Sequence, residues 1–182
     1  MKTRLLGAIA AGAIVIAGVA YAASNPMVGG APMYDSKTIV ENALNSKDHT
    51  TLVAAVKAAG LVDTLQSEGP FTVFAPTNAA FDQLPPGTVE TLVKPENKPM
   101  LTSILTYHVV AGKWDSQALN AAIVAGGNKL MLKTVNGEDL TIKGKGQNLS
   151  VTDSKGNTAH VTIADVYQKN GVIQVVDKVL MP

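Results

Sequence analysis

The chain has no cysteine and a single arginine, Arg4, among its 182 residues. The first absence excludes disulfide stapling, thiolate metal centres, cysteine nucleophiles and a lipid-anchored cysteine. The second leaves no guanidinium fork beyond the N-terminal segment with which to grip phosphate or guanine in bidentate fashion. Aromatic residues are scarce at 4%, charged residues make up 16%, and neither sign prevails. Fifteen Lys+Arg face fourteen Asp+Glu for a formal +1, and removing Lys2 and Arg4 brings the balance to about −1. No polyanion is attracted by such a chain, which excludes nucleic acid as a partner. What it does have is apolar material, 46% of its residues, enough for one domain that buries roughly two-thirds of its unfolded surface.

The one long uncharged run lies at the start. Lys2 and Arg4 form a positive n-region, Leu5 to about Val19 an apolar stretch, and Ala20-Tyr21-Ala22 a small-x-small cleavage site. This grammar predicts a secretory signal peptide over residues 1–22. The competing reading is an uncleaved anchor, since the stretch approaches the roughly 20 residues that span a bilayer. Gly7, Gly12, Gly18, the alanine content and Pro26 favour cleavage. No membrane span remains after it, and the expected address is periplasmic, secreted or cell-surface. Residues 23–34, rich in glycine and proline, read as a flexible leader without regular structure, and residues 35–182 as one domain.

The first part of that domain reads helical. Ser36 is a candidate cap for a helix carrying Ile39, Val40, Ala43 and Leu44, and Asp48 or Thr50 opens another carrying Leu52, Val53, Val56 and Ala59, closed by Gly60. Leu61, Val62 and Leu65 suggest a helical turn ended by Gly69-Pro70, ahead of a strand at Phe71–Phe74 in which Phe71 and Val73 share a face. Thr77 or Asn78 starts a brief helix with Phe81 and Leu84, stopped by Pro85-Pro86-Gly87. Helical stretches follow at Thr88–Lys94 and Met100–Tyr107, the latter with Leu101, Ile104, Leu105 and His108 on one inward face. The rest is strand-like. Lys129–Val135 and Asp139–Lys143 flank Asn136-Gly137, a two-residue hairpin signal, and Leu149–Thr152, Ala159–Val166 and Val172–Val179 are separated by turn residues. Helices ahead of strands predict an α+β domain.

Catalytic patterns are missing. There is no Gly-x-Ser-x-Gly elbow, Walker loop, Gly-x-Gly-x-x-Gly or His-Glu-x-x-His, so the chain reads as a non-enzyme with no cofactor. The three histidines match no metal-ligand spacing: His108 reads as a hydrogen-bonded core histidine, His49 and His160 as solvated. Asp153-Ser154-Lys155-Gly156-Asn157 reads as a hairpin turn rather than a calcium loop.

Three ordered blocks carry a family resemblance. Phe71-Thr72-Val73-Phe74-Ala75-Pro76-Thr77-Asn78-Ala79-Ala80-Phe81 resembles the first signature of fasciclin domains, Tyr107-His108-Val109-Val110 their Tyr-His motif, and Asn170-Gly171-Val172 through Pro182 their second signature. The resemblance implies an α+β wedge of two β-sheets with a helical layer, used outside the cytoplasm for adhesion and protein interaction. The signatures also make sense as structure: Pro76 stops a strand, Thr77 caps a helix, Phe81 returns to the core, and Gly171 takes a positive φ in the Asn-Gly turn. In animal members an Asp-Ile pair before the second signature, and the Tyr-His region, are associated with integrin binding. Asp165-Val166 and Tyr107-His108 occupy those places here, with Ile163-Ala164 where some members have Glu-Pro. They are the candidate partner contacts, Asp165 alternatively capping a strand end or turn.

Two functions follow as expectations. One is an adhesion module that binds a cell-surface or matrix protein or glycan, with a homo-oligomer as a possible working form. The other is a carrier of a lipophilic small molecule such as a carotenoid, a ligand taken by a few members of the family, held in an apolar cleft.

Overall fold

The computed structural model describes residues 25–182, so the signal-peptide segment lies outside the described residues. The first elements are two very short strands, β1 (Met27–Val28) and β2 (Ala31–Pro32), followed by the helices α1 (Ile39–Ala43), α2 (Thr50–Ala59) and α3 (Val62–Gln66). Strand β3 (Phe71–Pro76) leads into α4 (Asn78–Asp82), α5 (Thr88–Leu92) and α6 (Lys98–Tyr107). After β4 (Val109–Ala111) and α7 (Ser116–Ala125) come β5 (Leu130–Lys133), β6 (Asp139–Lys145), β7 (Asn148–Thr152), β8 (Thr158–Gln168) and β9 (Gly171–Val176).

Local chemistry sets most helix ends. Thr38, not Ser36, caps α1: its hydroxyl accepts from the Glu41 N–H while the Glu41 carboxylate accepts from the Thr38 N–H, a reciprocal capping box. Gly60, with φ 72°, closes α2 in the left-handed conformation that costs glycine no steric penalty. Thr77 and Asp115 cap α4 and α7 through their side-chain oxygens. Helix α7 was not anticipated from the sequence. Its signal is sparse, with only Leu119 and Ile123, four apart, buried in a run of alanine and amide residues.

Seven strands form one sheet in the order β4-β3-β9-β8-β7-β6-β5. Its ends approach each other, because the Val135 N–H donates to the Val109 carbonyl at 2.8 Å and Val110 bridges Thr134. The expected two-sheet wedge is realised by bending this one sheet. Thr158–His160 of β8 pair with β7, while residues from Val161 to Gln168 pair with β9, with two register breaks between Val161 and Val166. Such irregularities let one strand serve two sheet halves.

The parallel pair β3 and β9 divides the interior. Val73 and Ala75 of β3, with Ile173 and Val175 of β9, face a core roofed by α1 through α6. Phe74 and Val176 face a second core enclosed by β5 to β8 and covered by α7. Alternating side chains thus build two cores from one pair of strands.

Beyond the Ser36 cap, four more sequence expectations need correction. Residues 25–33 are not a free tether: β1 pairs with β2, and Val28 and Met33 are buried in the helical-side core. Turn residues there form a tight hairpin instead of a linker. Asn136-Gly137 is not a two-residue turn, since the β5–β6 ladder ends at Lys133 and Asp139 and residues 134–138 make a wider loop closed by the Thr134 N–H on the Glu138 carbonyl, 2.9 Å. Gly171 has no positive φ; it is required because a Cβ there would collide with the Phe71 backbone in the parallel ladder. His49 is not solvated but buried.

Candidate functional site

The first signature lies in β3 and the turn that follows. Phe71 packs half-buried on the helical side and Phe74 is buried on the other. Thr72 is inside as well: its hydroxyl donates to the Gly112 carbonyl (2.7 Å) and accepts from the Trp114 N–H (2.8 Å), tying β3 to the chain that leads into α7. Ala75 and Pro76 are buried, Thr77 caps α4, and Phe81 packs in the helical-side core. Asn78 clips a separate segment, donating to the Lys47 carbonyl (2.9 Å) and accepting from the Thr51 N–H (3.0 Å).

The second signature begins with a staple. Buried Asn170 accepts from the Ile39 N–H at the start of α1 (3.1 Å) and donates to the carbonyls of Leu65 and Ser67 at the end of α3 (2.7 and 2.8 Å). Its own carbonyl accepts from the Phe71 N–H. One side chain thereby fixes two helix ends beside the first residue of β3, with Gly171 and fully buried Val172 continuing into β9.

Tyr107 and His108, expected as partner contacts, are interior residues. Tyr107 is fully buried; its hydroxyl donates to the Asp139 carbonyl (3.1 Å) and accepts from the Ser154 N–H (2.9 Å). Burial raises its pKa. His108 Nδ1 is 2.8 Å from the Ile104 carbonyl, which only accepts, so the proton sits on Nδ1 and Nε2 accepts from the Leu180 N–H at 3.0 Å. Burial lowers its pKa to about 4, against smaller opposing effects of the Ile104 carbonyl and Asp153. This is the hydrogen-bonded core histidine expected from the helix face.

Asp165 and Val166 are likewise built in. Val166 is fully buried. Asp165 sits within the second register break of β8, between Ile163 and Val166, with φ 58°, a conformation that Asp tolerates better than most residues. Its N–H donates to Gln174 Oε1 (3.1 Å), and its carboxylate accepts from the Ser116 N–H (2.6 Å), the Ser116 hydroxyl and the Gln174 amide (3.1 Å). The carboxylate therefore anchors the start of α7 to the bend in β8. The four candidate contacts are corrected accordingly: three are inaccessible, and the fourth spends its acceptors on the fold. Asp153 plays the turn role expected, accepting from the N–H groups of Lys155 and Asn157 (3.0 and 2.8 Å).

The apolar cleft of the carrier expectation was given no residues by the sequence. An apolar cleft with about 60 Å³ of free space runs between α1, α2, α3 and α6. Val40, Val56, Leu65 and Leu105 form its floor, and Val53, Leu61, Val62 and Val135 its partly exposed rim. His108 borders it, but both ring nitrogens are engaged elsewhere. The available signal was the width of the α2 stripe, where Val53 adds an apolar position beside Leu52 and Val56. Among the described residues, no group of three or more acidic or histidine side chains is arranged to hold a metal, and no helix is long and apolar enough to cross a membrane.

Comparison with known proteins fits this frame. The Fasciclin domain model matches residues 47–182. Protein sll1483 of Synechocystis is 52% identical over 145 residues, covering 80% of this chain and 73% of that protein. Immunogenic protein MPB70 of Mycobacterium bovis is 41% identical over 181 residues, covering 95% of this chain and 84% of that one, and cell surface glycolipoprotein MPB83 of the same species is 37% identical over 168 residues, covering 89% and 69%. In structure the chain resembles a FAS1 domain pair from the insect cell adhesion molecule fasciclin I, with a TM-score of 0.71 at 18% identity, over 80% of this chain and about half (51%) of that one. With the signature residues placed at the seam of its two cores, the chain belongs to the fasciclin family as a single α+β domain.

Proposed function

We propose that this protein is an exported, non-enzymatic adhesion module acting at the cell surface or matrix, with a surface protein or glycan as its partner. The observation that carries the reading is its kinship to a protein described as a cell surface glycolipoprotein, together with the FAS1 fold of an insect cell adhesion molecule. The geometry supports it in one respect: apart from exposed Lys178, the polar side chains of both signatures are engaged within the fold, so recognition falls to the outer surface and the cleft rim. Low net charge gives little long-range steering, and avidity from a homo-oligomer compensates for modest single-site affinity. The test is retention of the purified protein on cell envelopes and immobilised matrix, with its oligomeric state read by native mass spectrometry. Retention supports the module; a strict monomer that binds no surface overturns it.

The cleft favours a second reading, a carrier of a lipophilic small molecule such as a carotenoid. A groove walled almost entirely by aliphatic side chains suits a ligand with little polar surface. Native mass spectrometry with an absorption spectrum, on protein purified from its own host, separates the two. A stoichiometric lipophilic adduct lost on Val53→Asp supports the carrier, and an unliganded protein removes it.

A further inference from the structure

The charge of the chain is even in sum but not in place. Residues 35–98, which carry most of the helical layer, hold eight carboxylates against five lysines. Residues 116–137 and 140–152, which build α7, β5, β7 and all of β6 but its first residue, hold Lys129, Lys133, Lys143 and Lys145 and no Asp or Glu. All four lysines are exposed. They gather on one surface, the outer face of the half-sheet whose inner side chains, such as Leu132, Leu140, Ile142 and Val151, fill the barrel-side core. An expectation drawn from net charge, that no polyanion is attracted, therefore does not hold for this face.

Register fixes what the face presents. Across the strands, Met131, Thr141, Thr152 and Thr158 form one row, and Lys143, Ser150 and His160 the next. Lys129 precedes Leu130, which is aligned with Ile142, and so comes beside Lys143; Lys145 lies opposite Asn148. At the other end Lys133 is aligned with Asp139, a cross-strand pair of opposite charge. Asp177 borders the His160 edge, its carboxylate accepting from the His160 N–H at 2.7 Å. Lys129, Lys143 and Lys145 thus have one another, serine and asparagine as cross-strand neighbours, and no carboxylate. The hairpin tip beside Lys145 is held in place: the Gly146 N–H donates to Asn120 Oδ1 of α7, and the Asn120 amide donates to the Gly146 carbonyl, both at 2.7 Å. These cations stand on ordered strands rather than on a loose loop.

A sheet face turned to water needs only polar side chains, and surfaces ordinarily intersperse both signs of charge. Exclusion of carboxylates from around three ammonium groups is a further property, one that suits an anion. We propose that the outer face of β5 to β8 is the docking surface for an acidic polysaccharide, a hydroxyl-rich chain bearing carboxylate or sulfate groups. The ammonium groups of Lys129, Lys143 and Lys145 pair with its anions, and the hydroxyls of Thr141, Ser150 and Thr152 exchange hydrogen bonds with its hydroxyls. Four strands about 4.8 Å apart make the platform about 14 Å wide. Other polyanions fit less well. Residues 129–163 contain neither an arginine to fork onto phosphate nor an aromatic ring on which a base would stack. Met131, 57% exposed, is the large apolar side chain in these rows, too little to enter a bilayer. The helical layer, with its excess of carboxylates, is repelled by the same chain, so the molecule docks sheet first. This inference rests on the adhesion reading, for which it names the partner's chemistry and the surface that meets it.

The experiment is an NMR titration of the nitrogen-15-labelled protein with oligogalacturonate and, separately, with a heparin hexasaccharide, neutral maltohexaose and phosphatidylglycerol vesicles serving as comparisons. The expected result is saturable shifts of the Lys129, Lys143, Lys145 and His160 amides with the acidic sugars, with affinity falling about tenfold or more as salt rises from about 50 to about 300 mM. Maltohexaose should bind weaker by about tenfold or more. Lys143→Gln combined with Lys145→Gln, both exposed, is expected to weaken the acidic sugars about fivefold to tenfold, while Lys57→Gln combined with Lys98→Gln in the helical layer changes them less than about twofold. Response to one acidic sugar alone supports the proposal and selects the anion. Equal binding of maltohexaose, preference for the vesicles, shifts centred on the helical layer, or wild-type affinity in the sheet variant each overturns it. Retention on cell envelopes without any response to acidic sugars overturns it and leaves the adhesion reading standing. Shifts on the sheet face without retention on envelopes or matrix support the site and overturn the adhesion reading.

Discussion

On the barrel side, Leu119, Leu140, Ile142, Val151, Val176 and Leu180 are all fully buried. On the helical side lie the open cleft and a smaller apolar cavity bordered by Val28, Met33, Val166 and Ile173, among residues such as Leu52, Val56 and Phe81 that keep 7–8% of their surface. The same two strands, β3 and β9, supply side chains to each. What differs is the opposite wall. Facing β3 and β9 on one side is the rest of the sheet, whose pleat offers evenly spaced side chains, plus the ten-residue helix α7. On the other, beside the ten-residue α2 and α6, are four five-residue helices, too short to interdigitate ridges with grooves over any length. Tight packing there ends where the helices end, and gaps remain between them. Closure goes with the continuous wall, and open space with the fragmented one.

The sharpest way to break this comparison is to remove equal volumes from the two cores. Leu140→Ala is expected to cost about 4–5 kcal/mol in urea unfolding, near the top of the usual range because its surroundings cannot collapse. Leu52→Ala, beside existing space, is expected to cost about 2–3 kcal/mol. Equal losses would mean that the helical side is as rigid as the barrel. Next in size is a pH effect at the seam, since His108 joins Ile104 of the helical side to Leu180 of the barrel. Its folded pKa of about 4 lies below the ordinary 6.5, so the unfolded chain binds the extra proton. Stability is full above pH 6.5 and falls toward pH 4, by up to about 3 kcal/mol. Burial of His49 adds in the same direction. Unfolding midpoints across that window check it, and His108→Gln should flatten the slope.

Asn170→Ala should follow at about 2–3 kcal/mol, because the Ile39 N–H and the Leu65 carbonyl lose their buried partner. Hydrogen exchange should then quicken in α1 and α3 and not in β5 to β7. The smallest effects sharpen the contrast by sign. Ala43→Val, which adds carbon at the wall between the two cavities, should be neutral or stabilise by about 0.5 kcal/mol. Ala159→Val in the fully buried barrel core should destabilise by about 1–2 kcal/mol. Thermal melts of the two variants read this directly.

Much of the architecture was legible from local pattern. The apolar spacing in α2 and its Gly60 stop, the α6 face that carries His108 inward, and the strand-like second half all rest on contacts within a few residues. What escaped depends on distant neighbours. His49 is buried because the Gly29 hairpin lands on it, and no pattern around residue 49 records that landing. Residues 25–33 carry turn chemistry, which a folded hairpin and a free tether share. Gly171 was recognised as necessary for a wrong reason, its real constraint being the Phe71 backbone a hundred positions earlier. Asp165 could be placed in a turn, but Ser116 and Gln174, which occupy it, become neighbours only when β8 bends. The resemblance located the signature blocks; the geometry shows that those blocks hold the fold together, and that the open spaces lie beside them.

The central position of β9 bears on how the chain reaches this state. The last strand in sequence is inserted between β3 and β8, with Phe71 aligned to Gly171 and Pro76 to Val176. Neither core has its dividing wall until those residues arrive. A chain delivered from its N-terminus, through a ribosome or a translocation channel, therefore cannot complete either half early, and a pairing this distant makes the final step slow relative to local helix formation. Segments made first remain unlocked until β9 is available, and the edge of β3 stays open to wrong pairing until the end.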